Sequence, residues 1–121
     1  MTPDAGEGGD RFVTVAHVGA LAPGDVVAVE VAGRAMVLYR DGERYFAAQR
    51  KCLHQGGDLA DGIVSRGYLI CPVHGWRFHT ATGIHEASPE TCLATYAVRV
   101  VDDAIQIDPT PRRHQAAPPD P

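Results

Sequence analysis

The chain has 121 residues, room for one domain and hardly for two. Glycine and proline supply 22 of them, which excludes an architecture of long helices, and a hydrophobic share of 45% excludes a wholly disordered chain. Acidic residues outnumber basic ones by 15 to 11, for a net charge of −4 with neutral histidines; the longest basic block is Arg112-Arg113, so no electrostatic footprint for nucleic acid is present.

Residues 1–10 are rich in glycine and acid, without hydrophobic periodicity, and are predicted to be a disordered lead. They contain no basic residue and no apolar stretch, which speaks against a secretory signal. Phe12 to Val18 is a short β-prone run. Ala22-Pro23-Gly24-Asp25 reads as a turn, after which Val27, Val29 and Val31 alternate with smaller or polar neighbours. The longest clean apolar run, Val26 to Val29, is far too short for a membrane span. Ala32-Gly33 then separates that run from Ala35 to Tyr39, which suggests a tight hairpin. Asp41-Gly42 divides the second run from Arg44 to Ala48, again a hairpin signal. Further strands are predicted at Tyr68–Cys71, Trp76–His79, Tyr96–Val101 and Ala104–Ile107, with turns at Thr80 to Gly83 and at Asp102-Asp103. The last thirteen residues contain five prolines and read as a loose tail. The expected domain therefore runs over 11–108. It is all-β and antiparallel, interrupted in the middle by loops rich in Cys, His and Gly.

Those loops carry the chemistry. The first is Cys52-Leu53-His54-Gln55-Gly56-Gly57, the second Cys71-Pro72-Val73-His74-Gly75-Trp76. A lone His or Cys in a β-domain is usually packing. Here each of two short loops offers one thiolate and one imidazole, each pair is followed by glycine, and each follows a predicted strand. Together they hold half of the histidines and cysteines found outside the tails, a poor match to chance. All four are candidate metal ligands. A tetrahedral Cys₂His₂ zinc site is open to these donors, but structural zinc sites usually draw two Cys from one knuckle. Loops that each mix Cys and His suit an object of two metals gripped from both sides. Three cysteines cannot all pair and give no disulfide framework, in keeping with a reducing compartment. A soluble, cytoplasmic protein without membrane contact is expected.

Cys-x-His, sixteen residues, then Cys-x-x-His resembles the Rieske [2Fe–2S] family, in particular its soluble ferredoxins that serve ring-hydroxylating dioxygenases. Cys71-Pro72-x-His74-Gly75-Trp76-x-Phe78, the Thr82-Gly83 turn and the strand around Tyr96 to Val100 are similar too, and Ser88-Pro89 falls where the family has a third, proline-containing loop. The resemblance implies a sandwich-like fold with a small cluster-binding subdomain, its loops at about 50–60 and 70–79. It further implies that Cys52 and Cys71 hold the inner iron of a [2Fe–2S] cluster while His54 and His74 hold the outer one. Two Fe³⁺, two sulfides and two thiolates sum to zero charge, against −2 for four thiolates, so mixed ligation raises the potential above that of plant-type ferredoxins.

Respiratory Rieske proteins carry an extra cysteine in each loop, joined as a disulfide; Gly57 and Val73 stand at those places here. They also place serine, a donor to the cluster, where this chain has Trp76. Fewer hydrogen bonds to sulfur lower the potential, so the low end of the Rieske range, about −150 mV, is expected. The implied function is one-electron transfer from a ferredoxin reductase to a terminal oxygenase, by a monomer with no catalytic residues of its own. A chain of this length leaves no room for an oxygenase's catalytic iron domain. The alternatives are a Rieske-like small subunit of a larger oxidoreductase, such as an assimilatory nitrite reductase, and a redox-silent zinc module. Gly56, Gly57 and Gly75 are expected to let backbone approach the cluster. Trp76 and Phe78 are expected to pack beneath it. Cys92 is expected to be structural, and His17, His79, His85 and His114 to be surface polar. Arg50, Lys51, Asp58 and Asp61 read as solvated charges on a loop.

Overall fold

The computed structural model describes residues 11–53, 57–73 and 75–113. Ten strands follow in order: β1 (Val13–His17), β2 (Val26–Val31), β3 (Arg34–Asp41), β4 (Arg44–Gln49), β5 (Ile63–Ser65), β6 (Tyr68–Ile70), β7 (Arg77–His79), β8 (Thr95–Tyr96), β9 (Val98–Val101) and β10 (Ala104–Ile107). They form three antiparallel sheets, in the orders β1-β10-β9, β2-β3-β4-β8 and β5-β6-β7. The all-β, antiparallel class expected from the sequence is the one observed, with 3₁₀ turns at Val18–Ala20 and Leu59–Asp61 as its only helical pieces among the described residues.

Tight turns set the registers. Ala32 and Gly33 both have positive φ (54° and 79°), the twist of a type I′ turn that matches the strands on either side. In the next hairpin the turn residues are Gly42 and Glu43, since Asp41 still pairs with Arg44. Glycine takes the first central place at φ 63°, as a II′ turn requires. Asp102 and Asp103 (φ 51° and 70°) close the β9–β10 hairpin.

β3 is buried on both faces, and its period of two sends alternate side chains into two different cores. Met36 and Leu38 join Leu21, Val31, Ala47, Tyr96, Ile105 and Ile107 between the first two sheets. Val37 and Tyr39 face the other way, into a cluster with Ala48, Leu59, Leu69, Phe78 and Leu93 that also contains Cys52 and Cys71. The Tyr39 hydroxyl donates to the Thr80 carbonyl at 2.7 Å, which pins the turn after β7 to the central sheet. Burial, with Asp41 nearby, pushes the phenol well above its ordinary pKa, so that donor keeps its proton. The third sheet is thus a small platform held against the main body by an apolar layer.

Two elements differ from expectation. The run predicted as one strand at Tyr96–Val101 breaks at Ala97: Tyr96 pairs with Ala47 of β4, whereas Val98 pairs with Ile107 of β10. A strand that changes sheets in mid-run keeps its β-prone composition, so periodicity does not reveal the break. The segment read as a tail begins with paired residues. Arg112 and Thr95 exchange amide–carbonyl hydrogen bonds at 2.7 and 2.8 Å, and the Arg113 guanidinium donates to the Cys92 carbonyl at 2.6 Å. Proline lacks an amide hydrogen, but the arginines between and after the prolines keep theirs.

Candidate metal centre

The two cysteine loops leave the structure at adjacent places by the same device. The second loop, Cys71 to Trp76, joins β6 to β7 as the end of a hairpin whose last pair is Ile70 with Arg77. The Cys71 amide donates to the Trp76 carbonyl at 2.8 Å, and the Gly75 amide donates back to the Cys71 carbonyl at 3.0 Å. Gly75 takes φ 73°, a conformation that glycine adopts without steric cost. In the first loop the Cys52 amide donates to the Gly57 carbonyl at 2.7 Å. Each loop therefore closes from the cysteine amide to the carbonyl five residues on, and each cysteine stands at the foot of its loop, where the chain enters from the core.

Behind the first loop, Lys51 and Asp58 form a β-bridge and the Leu59 amide donates to the Arg50 carbonyl at 2.8 Å. The Arg50 guanidinium grips Asp58 with two hydrogen bonds, both 2.9 Å, while an Asp58 oxygen accepts from the Ala60 amide at the start of the 3₁₀ turn. Arg50 and Asp58 are thus paired while remaining partly exposed, which refines their reading as solvated loop charges, and Lys51 and Asp61 are exposed as expected. The sequence signal was weak because a pair eight residues apart has no helical or strand period. The Arg50 hydrogen bonds, followed by the Ala60 amide, hold the Asp58 carboxyl below its usual range. A lowered carboxyl pKa contributes stability above the ordinary value of about 3.9 and loses it as pH falls through the folded value. Asp58→Asn is accordingly expected to lower the melting temperature slightly at pH 7, as befits an exposed pair, with the difference from the parent shrinking as the pH falls below about 3.9. Thermal unfolding of both proteins across that interval checks it.

Cys52 and Cys71 are 2% and 1% exposed, and neither is in a disulfide. Their loops touch. A Cβ on Gly57 would stand 2.9 Å from the Cys71 Sγ and 2.7 Å from Val73 Cγ2, closer than such atoms approach. The first loop therefore lays bare backbone against the thiol of the second. The same construction puts that Cβ 3.3 Å from Val73 Cβ, near the separation of about 3.5–4.5 Å found across disulfides. Gly57 and Val73 thus face each other, in keeping with the loop positions that the resemblance to respiratory proteins implies for a bridge, and Gly and Val offer no thiol to form one. Two buried thiols on touching loops, with backbone in place of a side chain between them, fit a thiolate-ligated group far better than an apolar core.

His54, His74 and Gly56 lie outside the described residues. Among the described residues no three His, Cys, Asp or Glu side chains are grouped to hold a metal ion. Cys92 is buried away from both loops, its Sγ 3.4 Å from the carbonyls of Thr82 and Leu93. His17 and His79 are exposed, and His79 stacks on Tyr68 at 4.9 Å. His85 corrects its surface reading: it is 8% exposed and stands perpendicular to Trp76 and Phe78, with ring centres 4.4 and 5.3 Å away. Phe78 is fully buried and Trp76 partly so, both packed with Cys52 and Cys71 in one cluster.

The sequence model of the Rieske [2Fe–2S] domain matches residues 11–97. The chain belongs to the Rieske [2Fe–2S] family. The Rieske domain is 30% identical over 98 residues to the ferredoxin component of the naphthalene 1,2-dioxygenase/salicylate 5-hydroxylase systems of a Ralstonia species, covering 80% of this chain and 94% of that one. It is 38% identical over 95 residues to apoptosis-inducing factor 3 of mouse, covering 78% of this chain but spanning only 16% of that longer protein. Among solved structures, the ferredoxin of carbazole 1,9a-dioxygenase from Nocardioides aromaticivorans IC177 superposes with a TM-score of 0.76 at 30% identity, covering 84% of this chain and all of that one. The cofactor of this Rieske domain is a [2Fe–2S] cluster, and its role is electron transfer. Among the described residues no helix is long and apolar enough to cross a membrane.

Proposed function

We propose that Cys52, His54, Cys71 and His74 hold the [2Fe–2S] cluster, and that the chain is a soluble, cytoplasmic ferredoxin that takes electrons singly from a reductase and delivers them to a terminal oxygenase. The observation that supports the reading is the close approach of Gly57 to the Cys71 Sγ, which sets backbone of the first loop against the thiol of the second. The likeness to the Ralstonia ferredoxin component, which is matched over 94% of its length, supports the ferredoxin role.

When bound, the cluster supplies a one-electron couple. The chain's own residues do the rest. Cys52 and Cys71 would hold the cluster from within the core, where they pack with Leu59, Leu69 and Phe78. The loop-closing amide bonds hold both thiols in place, so little rearrangement accompanies a change of charge. Leu53, next to His54, is 43% exposed, and Pro72 is exposed beside Cys71. These apolar tips suit a small, transient docking contact of under about 1,200 Å², which a carrier needs in order to leave one partner for the next.

The test is anaerobic purification, electron paramagnetic resonance after dithionite reduction, and protein-film voltammetry. The expected protein is red-brown, gives the low-average-g rhombic signal of His₂Cys₂ ligation, and has a midpoint near −150 mV. Trp76, which has no hydroxyl, stands where a higher-potential site would place a serine donor. A clearly positive midpoint would contradict the low-potential assignment, and a colourless protein with stoichiometric zinc would contradict the carrier role while leaving the ligands in place. A large subunit that stays bound through purification would move the chain to the class of permanently attached Rieske subunits.

A further inference from the structure

Of the described histidines only His85 is buried, and neither cysteine loop contains it. Its Nδ1 accepts two backbone hydrogen bonds, from the Ala87 amide at 2.9 Å and the Ser88 amide at 3.1 Å. One ring nitrogen thus serves as the acceptor for two successive amides of the segment. The surrounding segment wraps round the ring. The His85 amide donates to the Thr91 carbonyl at 2.9 Å, the Thr91 amide donates to the Ser88 carbonyl at 2.8 Å, and the Glu86 amide donates to the Arg77 carbonyl at 2.8 Å. Residues 86–91, which include Ser88-Pro89, are thereby folded about one imidazole.

The other side of that ring meets the second cysteine loop. His85 stands at 88° to Trp76 with centres 4.4 Å apart, an edge-to-face arrangement favoured by the charge distribution of aromatic rings. The Trp76 carbonyl is the acceptor that closes the loop onto the Cys71 amide. Nε2 is buried and has no hydrogen-bond partner among the described residues. Leucine or phenylalanine would fill the same space without leaving a polar atom there, so packing alone does not explain a histidine. The two amides on Nδ1 do.

We propose that His85 is a positioning residue for the cluster: one imidazole locks the 86–91 loop through Nδ1 and, through its face-to-edge contact with Trp76, locks the second cysteine loop, so that the ring helps set the reduction potential. The proposal rests on the reading of Cys71 and His74 as ligands. Its physical basis is that the aim of backbone donors around a thiolate-ligated iron tunes the potential, and a looser 71–76 loop aims them less well.

Two substitutions separate the two halves of the contact. His85→Asn keeps an acceptor oxygen near the place of Nδ1 and removes the ring from Trp76. His85→Phe keeps a ring and removes the acceptor. Hydrogen exchange followed by mass spectrometry on the holoproteins is expected to show the 86–91 segment exchanging at least about tenfold faster in His85→Phe, with a smaller change in His85→Asn, because the buried amide bonds to Nδ1 are lost only in the former. The reduction equilibrium of His85→Asn is expected to fall at least about threefold, a shift of about 28 mV to lower potential at 59 mV per tenfold for one electron. Trp76→Leu, with His85 intact, is expected to move the potential in the same direction and serves if a His85 variant does not fold. Potentials unchanged in His85→Asn and Trp76→Leu, alongside lowered melting temperatures, would overturn the proposal and leave His85 as packing. A parent protein without a [2Fe–2S] resonance would instead sink the ligand reading itself, and the proposal with it.

Discussion

Cys71→Ser protein is expected to purify without the red-brown colour of the parent, with bound iron reduced by more than the 10- to 100-fold that loss of an outer-shell partner costs in metal affinity. A serine hydroxyl stays protonated where a cysteine supplies a thiolate, and the thiolate is the ligand form. Cys71 is 1% exposed, and its Sγ is covered by the backbone of Gly57 and by Val73. The effect extends to stability, because a cluster that binds only the folded chain contributes its binding free energy to folding. Cys71→Ser is thus expected to melt well below the holoprotein, near the melting temperature of parent chain stripped of iron. Cys92→Ser provides the contrast: Cys92 sits against the carbonyls of Thr82 and Leu93, outside both loops, and its replacement should leave iron content and resonance unchanged. Iron analysis with calorimetry on the three proteins decides the matter. A Cys71→Ser protein with full iron would remove Cys71 from the ligand set.

A methyl group at residue 57 is expected to do comparable damage without touching a ligand. In Gly57→Ala the added Cβ would meet Val73 Cγ2 at 2.7 Å and the Cys71 Sγ at 2.9 Å, so the loops must separate or the thiol must swing aside. Overpacking of this kind costs about 1–3 kcal/mol, and a displaced thiol no longer shares a site with Cys52. Lower iron occupancy and a lower melting temperature should therefore appear together. The second-site change Val73→Ala removes the nearer of the two obstacles and leaves the sulfur, so the double variant is expected to recover part of the stability and less of the iron. A Gly57→Ala protein that is as stable and as fully loaded as the parent would show that the loops have slack and that their contact does not position Cys71.

Much of the scaffold was legible because its signals are local. The β2–β3–β4 meander follows from valine alternation and from Ala32-Gly33 and Asp41-Gly42, and Ala104–Ile107 was placed to the residue. Less legible was β5, three residues long with Ile63 exposed, which carries too few side chains to show a period. Its turn, Arg66-Gly67, takes positive φ at both positions, although arginine gives no hint of that. The break at Ala97 was hidden for a different reason. Both halves are β-prone, and only their partners, β4 and β10, differ.

By itself the sequence supplied the donor types proposed for the centre. Thiolates and imidazoles must be present as residue types, and each of two short loops offers one Cys and one His in sequence. Spacing carried that information because it is set by a few consecutive backbone bonds. The tertiary structure decided everything that depends on contact between residues far apart in the chain. It laid Gly57 against a thiol fourteen residues away, and it turned Val37 and Tyr39 of a two-faced strand toward the cysteines rather than away. It also folded the 86–91 segment about His85 and set that ring on Trp76. Packing of this kind arises only when separate sheets close on a shared core, and no local pattern of residues encodes which side chains will meet there.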